Sequence, residues 1–381
     1  LSPNDKDLMA LPHPVRVDAA FGSPIEDVLL AQAGVLEGVR PYLAAEGVST
    51  EWIINEVPGM MGLARATVGA PAGLNVGILM LLLSRARLRA HGDPILQVAE
   101  PLHAQLAATD LTDGLPARFF RSPYPLVFIE FARPSGLQIS NRASGLHEVE
   151  GVYVGSCRIP PHGEQLTGSG RVRHLRLDPA RETRIVELTI TGSPLGKDNP
   201  LDDASVDLSL FIQDEDACLS TLLERHIAYY RSAEAHAQPG FEIPDQSEID
   251  LSAEVIRHLA KVLLYLNLPE AEQAPLPERS RLAQRLQGLG PKKAARIKRR
   301  MATAYDRIVI GPRTAADPAA PNDGDPVASG RRVRPHWRRG HFRRILYGEQ
   351  RSESRLGWIK PVLVNAAEVF GPVKAKPYVV R

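Results

Sequence analysis

Cysteine is almost absent: Cys157 and Cys218 are the only two in 381 residues. Two thiols are too few for a disulfide framework or a cysteine zinc site, so a reducing cytoplasm is the expected location. Long apolar runs are missing too. The longest, Val76 to Leu83, falls far short of the roughly 20 residues that span a bilayer, and the opening residues Leu1 to Asp7 lack the basic and apolar regions of a signal peptide. No membrane partner is expected. Metal and cofactor signals are equally thin. His162 and His174 flank Gly168-Ser169-Gly170 without a third ligand at a defining spacing, and neither that cluster nor Gly192 to Lys197 has the residue order of a phosphate loop. Both are expected to be hairpin turns. No metal and no cofactor is expected.

Acidic side chains are scarce in one part of the chain. Residues 279–381 carry 24 basic and 7 acidic side chains, a net of +17, whereas residues 1–278 carry 22 basic and 37 acidic, a net of −15. A formal total of +2 hides this split. A basic third of that size points to a polyanion partner, or to docking on the acidic remainder of the same chain.

With 44% hydrophobic content, 381 residues can bury a substantial core and fill two or more domains. The period of the apolar pattern suggests where they divide. Residues 1–115 read as a helical N-terminal domain: Ser23-Pro24-Ile25-Glu26 starts an apolar series running to Leu43, Ser49-Thr50-Glu51-Trp52 starts a second helix, and a third ends near Arg89. The breaker cluster Pro58 to Gly62 lies between, and its Met pair suits a core better than a surface. Residues 116–278 read as an α+β central domain. Six β-prone runs (126–131, 137–139, 151–154, 172–177, 185–190 and 206–212) follow one another without helices, which argues for an antiparallel sheet. Helices are expected over 217–233 and 252–266, the latter capped by Ser252. The run from Tyr124 to Phe131 is read either as an edge strand open to an added peptide or as a central core strand.

Residues 279–313 form a basic helical segment. Within it, Gly288-Leu289-Gly290-Pro291-Lys292-Lys293-Ala294-Ala295-Arg296-Ile297 has the order of a helix-hairpin-helix unit, in which backbone N–H groups at a helix start hold a phosphate. Lys292, Lys293 and Arg296 are candidate RNA contacts. Residues 314–330, rich in Ala, Pro, Asp and Gly, read as a linker. Residues 331–381 close the chain as a small basic strand-rich module. The expected fold class is α+β: a helical N-terminal region, a central antiparallel sheet with packed helices, and that module.

The module holds the strongest functional signal. Arg334-Pro335-His336-Trp337-Arg338-Arg339-Gly340-His341-Phe342-Arg343-Arg344 sets two imidazoles, two aromatic rings and five guanidinium groups within eleven residues. That composition suits phosphate binding, base stacking and proton transfer. Pro335 and Gly340 disfavour a helix, and Trp358 to Val364 supplies a β-prone partner after the polar turn 348–354. In a continuous strand His336 and His341 fall on opposite faces. His336 and His341 are the candidate catalytic residues; Arg334, Trp337, Arg338, Arg339, Phe342, Arg343, Arg344 and Trp358 are candidate RNA contacts. Solvated basic faces and hydrogen-bonded structural histidines are the plain alternative.

The run Pro335 to Phe342, followed by Trp358, Pro361 and Val364-Asn365, resembles the closing motif of the anti-CRISPR proteins that block biogenesis of the type V-A effector nuclease, and of their relatives on phages and plasmids. Arg343 stands where that family has a third histidine. The resemblance implies a mobile-element protein of the cytoplasm that recognises a nascent target polypeptide and promotes loss of its mRNA. The implied partners are RNA or a ribosome–nascent-chain complex and the target polypeptide. Two other classes compete with this reading: a metal-independent ribonuclease of toxin type, with His336 and His341 as base and acid, and a non-enzymatic adaptor that binds RNA or the ribosome.

Overall fold

The computed structural model describes residues 5–66, 76–141, 144–163, 170–197, 199–236, 245–312 and 336–364. Arg334, the 314–330 linker, Asn365 and Gly168-Ser169 of the first glycine cluster lie outside them.

Seven helices open the chain: α1 (Asp5–Met9), α2 (His13–Phe21), α3 (Ile25–Gln32), α4 (Leu36–Leu43), α5 (Thr50–Glu56), α6 (Met60–Ala66) and α7 (Val76–Ala90). The apolar series after Ser23 breaks in two at Gly34, whose φ of +72° suits a glycine. Ser49 caps α5 as its sequence suggests, its Oγ accepting from the Trp52 N–H at 3.0 Å. These helices bury Leu30, Val39, Ile53, Ile54, Leu79 and Leu83, and Met60 is fully buried among them.

The chain then enters a mixed sheet. Its strands run β1 (Ile95–Val98), β3 (Leu126–Glu130), β4 (Gln138–Asn141), β5 (Gly145–Ile159), β6 (Thr183–Gly192), β7 (Ala204–Ile212), β8 (Gln273–Pro277) and β9 (Asp306–Ile310), while the two-residue β2 (Thr109–Asp110) lies apart. The spatial order is β7-β6-β5-β3-β1-β9-β8, with β4 on β5. The expected antiparallel pairing holds across β3, β5, β6 and β7. It needs amending at β1, which pairs in parallel with β3 and β9. The chain crosses from β1 to β3 through α8 (Glu100–Ala107), and such a crossover delivers a parallel strand.

Two further expectations change, and one pair of alternatives is decided. Residues 172–177 are not a strand: α9 (Gly170–Leu175) occupies them and buries Leu175. The long helix after α10 (Leu219–Tyr230) and α11 (Ala233–His236) is α12 (Gln246–Leu266), and Asp245 and Glu248 form its capping box. Ser252 is buried inside it, donating to the Glu248 carbonyl at 2.8 Å. β3 is paired on both sides, by β1 and β5, so the 124–131 run offers no edge to a peptide. Gly192 to Lys197 is the turn its composition suggests, closed by Lys197 N–H on the Pro194 carbonyl at 2.8 Å.

Both edges of the sheet are blunted. At β7 the Ser209 and Phe211 N–H groups donate to Tyr230 Oη and His226 Nε2 of α10 at 2.6 and 2.8 Å. At β8, Pro275 and Pro277 have no N–H to offer. One sheet face packs Leu96, Ile129, Val152 and Leu188 under α8, α10 and α12. The other packs Ile95, Phe128 and Tyr153 against α7 and α2. Polar keys fix α2 there. Arg16, fully buried, donates to both Glu150 oxygens at 2.8 and 2.7 Å and also to Asp203.

Between β8 and β9 the chain makes two helices, α13 (Glu278–Leu286) and α14 (Pro291–Met301). Its last described strands are β10 (His336–Arg338), β11 (Gly340–Tyr347), β12 (Glu353–Ile359) and β13 (Val362–Val364).

Candidate functional site at the closing strands

The closing motif is strand, as its proline and glycine suggest, but it is not one continuous strand. β10 pairs with β13 in a sheet of its own, and β11 begins a second sheet, β12-β11-β2, after the break at Arg339. His336 and His341 therefore belong to different sheets, with His336 opposite Val364 and His341 opposite Ile359 on one side and Asp110 on the other.

Gly340 is the hinge of this arrangement. Its N–H donates to the Ala108 carbonyl at 3.1 Å, and it pairs with Thr109. A Cβ at that position would lie 2.7 Å from Thr109 Oγ1 and 2.8 Å from both the Ile359 carbonyl oxygen and Pro361 Cδ. Only glycine lets β11 come this close to β2.

Alternation along β11 then sorts the motif. Phe342 points inward and is fully buried in the main core, stacked on Trp358 with ring centroids 5.6 Å apart and planes 15° apart. It presents no face to a base, so its expected RNA contact is replaced by a packing role. Trp358 is half-buried: Tyr265 of α12 meets it edge-on at 5.7 Å, and its Nε1–H donates to Thr109 Oγ1 at 3.3 Å. Lys360 Nζ lies 5.8 Å from its ring centroid. Thr112 Oγ1 donates to the Phe342 carbonyl at 2.6 Å. The two aromatic rings are anchors holding the strands to α12 and β2.

The charged side chains stay outside. Arg338, Arg339, Arg343 and Arg344 are exposed, and His341 is half-buried. Arg339 donates to Asp110 at 2.6 Å, a surface pair that orients the guanidinium more than it stabilises the fold. Among the described residues no ion-pair partner faces Arg338, Arg343 or Arg344. Lys292, Lys293 and Arg296 are also exposed, but on α14 of the separate helical pair. Trp337 lies in β10 opposite Leu363.

Lys261 is a residue that sequence reasoning passed over. It sits in α12 with Nζ donating to the Thr109 carbonyl at 3.1 Å. Burial, with help from the Arg339 charge and against the pull of Asp110, brings its amine down to about 8. Lys261, Asp110, Arg339 and His341 thus gather where β2 receives β11. A lone lysine in the apolar helix 252–266 was the available signal. One turn earlier, His258 Nε2 lies 3.1 Å from His103 Nδ1, and His103 Nε2 lies 2.8 Å from the Ser135 carbonyl. The carbonyl fixes the proton on His103 Nε2, so His258 is the donor between the rings. Burial lowers both pKa values, and the pair serves as a neutral clasp between α8 and α12. Among the described residues no cluster of His, Cys, Asp and Glu could hold a metal, and no helix is long and apolar enough to cross a membrane.

A mixed sheet clad in helices, with arginine-bearing strands strapped to it by a glycine and two stacked rings, defines an α+β protein whose closing strands expose cations. The chain matches the model of the AcrVA2-like family, anti-CRISPR type V subtype A2, over residues 96–366, and it belongs to that family. The matched span begins in β1 and includes every strand of the closing motif. In fold it is similar to a solved structure titled "Crystal structure of AcrVA2", with a TM-score of 0.50 at 15% identity, covering 93% of this chain and all of that one. No curated protein matches it.

Proposed function

We propose that this anti-CRISPR family member recognises a nascent target polypeptide and promotes loss of its mRNA, contacting RNA through the outward arginines of the closing strands. The observation that carries the RNA part is the sorting along the motif. Gly340, Phe342 and Trp358 are committed to docking, while Arg338, Arg343 and Arg344 face solvent without carboxylate partners among the described residues. Cations held on a pinned strand lose less freedom on meeting phosphate than cations on a free tail. In this reading the protein works as an adaptor: the exposed groups of the motif are guanidinium groups, which hold phosphate and stay protonated rather than shuttle protons near neutral pH.

A second reading, a metal-independent ribonuclease, is favoured by one feature. Lys261 carries an amine titrating near neutrality in the cluster with Asp110 and Arg339, and His341 pairs with Asp110 in register. The test runs in two parts. In cells translating the target, the message level is measured with the unaltered protein and with His341→Ala, which is expected to abolish mRNA loss while the circular dichroism spectrum is unchanged. Purified protein is then incubated with RNA in chelator. Binding without cleavage supports the adaptor, and cleavage that disappears with His341→Ala supports the ribonuclease. Full mRNA loss with both His336→Ala and His341→Ala rejects a functional role for the motif's histidines.

A further inference from the structure

The helical pair α13–α14 stands apart from the closing strands and carries the densest positive charge among the described residues. It is inserted between the two strands β8 and β9 at one edge of the main sheet. Its base is pinned by Ser280, whose N–H donates to Asp306 Oδ1 at 3.0 Å. Its own small core consists of Leu282, Ile297 and Ala304, with Leu286, Leu289 and Met301 packed against them. Gly288, at φ +75°, makes the turn between the helices, and Pro291 opens α14.

Nine cations decorate this unit: Arg279, Arg281, Arg285, Lys292, Lys293, Arg296, Lys298, Arg299 and Arg300. All nine are exposed. The single acid in residues 278–301, Glu278, is turned to Arg307 at 3.4 Å. None of the nine has an ion-pair partner among the described residues, although exposed arginines elsewhere, such as Arg158, Arg231 and Arg257, do. Self-repulsion of that order is a standing cost to the fold, relieved when a polyanion is bound.

The pattern on α14 is directional. Ile297 and Met301 belong to the small core shared with α13, and at 100° per residue Lys292, Arg296 and Arg299 fall on the opposite side of α14 as a single row. Lys293 and Arg300 flank that row. From Lys292 to Arg299 the row rises about 10 Å, comparable to the axial rise of about three base pairs of a double helix. Residues 278–304 contain no Phe, Trp, Tyr or His. Splayed single strands are held by aromatic platforms on which bases stack. A surface of cations alone reads phosphates, and it is best served by a partner whose bases are already stacked away.

We infer that the α13–α14 pair docks on the sugar–phosphate backbone of double-helical RNA, without regard to sequence, through the row Lys292, Arg296 and Arg299. The choice of RNA over DNA rests on the proposed RNA-directed function; the choice of duplex over single strand rests on the surface itself. The test uses the full-length purified chain and a 20-base-pair RNA duplex, with U20 and a DNA duplex of the same sequence as the other arms. The unaltered chain is expected to bind the RNA duplex at least about tenfold more tightly than U20 at equal salt. Replacing the row (Lys292→Gln, Arg296→Gln, Arg299→Gln) is expected to weaken duplex binding by about 10- to 100-fold, and to reduce the slope of log affinity on log salt by about two to three. The melting temperature should not fall, since none of the three side chains is packed and their removal relieves like-charge repulsion, and Arg40→Gln, on the N-terminal helices, should leave duplex binding unchanged. Undiminished duplex affinity in the triple variant overturns the inference, as does tighter binding of U20 or of DNA. The readout is binding by the isolated protein, so it stands or falls separately from the message-level measurement on His341.

Discussion

Gly340 shows how one residue type decides whether the closing motif can dock. Thr109 Oγ1, the Ile359 carbonyl oxygen and Pro361 Cδ surround the place where its side chain would start, and two of the three belong to backbone or ring atoms that cannot swing aside. Gly340→Ala is therefore expected to push β11 away from β2, at a cost of about 1–3 kcal/mol. The loss should be local. Amide exchange measured along the chain should rise in β11, β12 and β2 while β5 and β6 keep their protection; unchanged exchange at residues 340–347 would show that the strand has room to spare. The glycine was visible in the sequence as a helix breaker. What it touches was not, because Ala108 and Thr109 lie some 230 residues earlier in the chain. A separation of 134 residues likewise hid Arg16, whose partner Glu150 is placed by the bulge between Val149 and Gly151 in β5.

Elements were legible where their period was long or their end signals strong. The closing strands followed from Pro335, Gly340 and the β-prone run Trp358 to Val364, and the helix over α12 followed from its apolar stripe. β1 was missed because four residues between a helix and a helix have too little period to register, and its burial comes from β3 and β9, which the local sequence does not show. The sequence of α9 suggests a strand because valine favours strands, yet Val172 and Leu175 have helical spacing and meet the hydrophobic cluster of Cys157, Phe211 and Tyr229. The seam between α10 and β7 carries a pH dependence of its own. His226 Nε2 accepts the Phe211 N–H, and His226 Nδ1–H donates to the Leu222 carbonyl at 2.9 Å, so the ring must be neutral to make both bonds. Burial, assisted by Arg171 and Arg225, lowers its pKa to about 4. The unfolded chain holds the same ring at about 6.5. Between those two values the unfolded state binds the proton and the folded state does not, so stability rises with pH across the window and is lost as the pH falls through it. About 2–3 kcal/mol is expected to disappear between pH 7 and pH 4.5 from this ring alone. Chemical denaturation at the two pH values checks it: His226→Gln should be less sensitive to pH than the unaltered chain by that amount, and equal sensitivity would reject the assignment.

At the scale of the whole molecule, the charge split between residues 1–278 and 279–381 suggests a simple deletion: cut after Gly330 and ask whether RNA binding goes with the basic end. The fold makes that experiment ambiguous. Phe342 and Leu356 belong to the main hydrophobic core, and Trp358 covers Tyr265 and Thr109, so the cut removes core along with charge. The truncated chain is expected to melt at a lower temperature and to bind an apolar dye, because Tyr265 and the surrounding leucines of α12 lose their cover. A loss of RNA binding in such a chain would say nothing about arginines. Arg343→Gln with Arg344→Gln separates the two effects. Both side chains are exposed, so stability should stay within about 0.5 kcal/mol of the unaltered chain. If the closing strands hold RNA through phosphates, affinity for a single-stranded RNA should fall, and its dependence on log salt should become shallower by about 1.4 for the two contacts removed. A double variant with the original melting temperature and the original salt slope would show that these guanidinium groups are only a solvated face, and that the basic third of the chain meets its polyanion elsewhere.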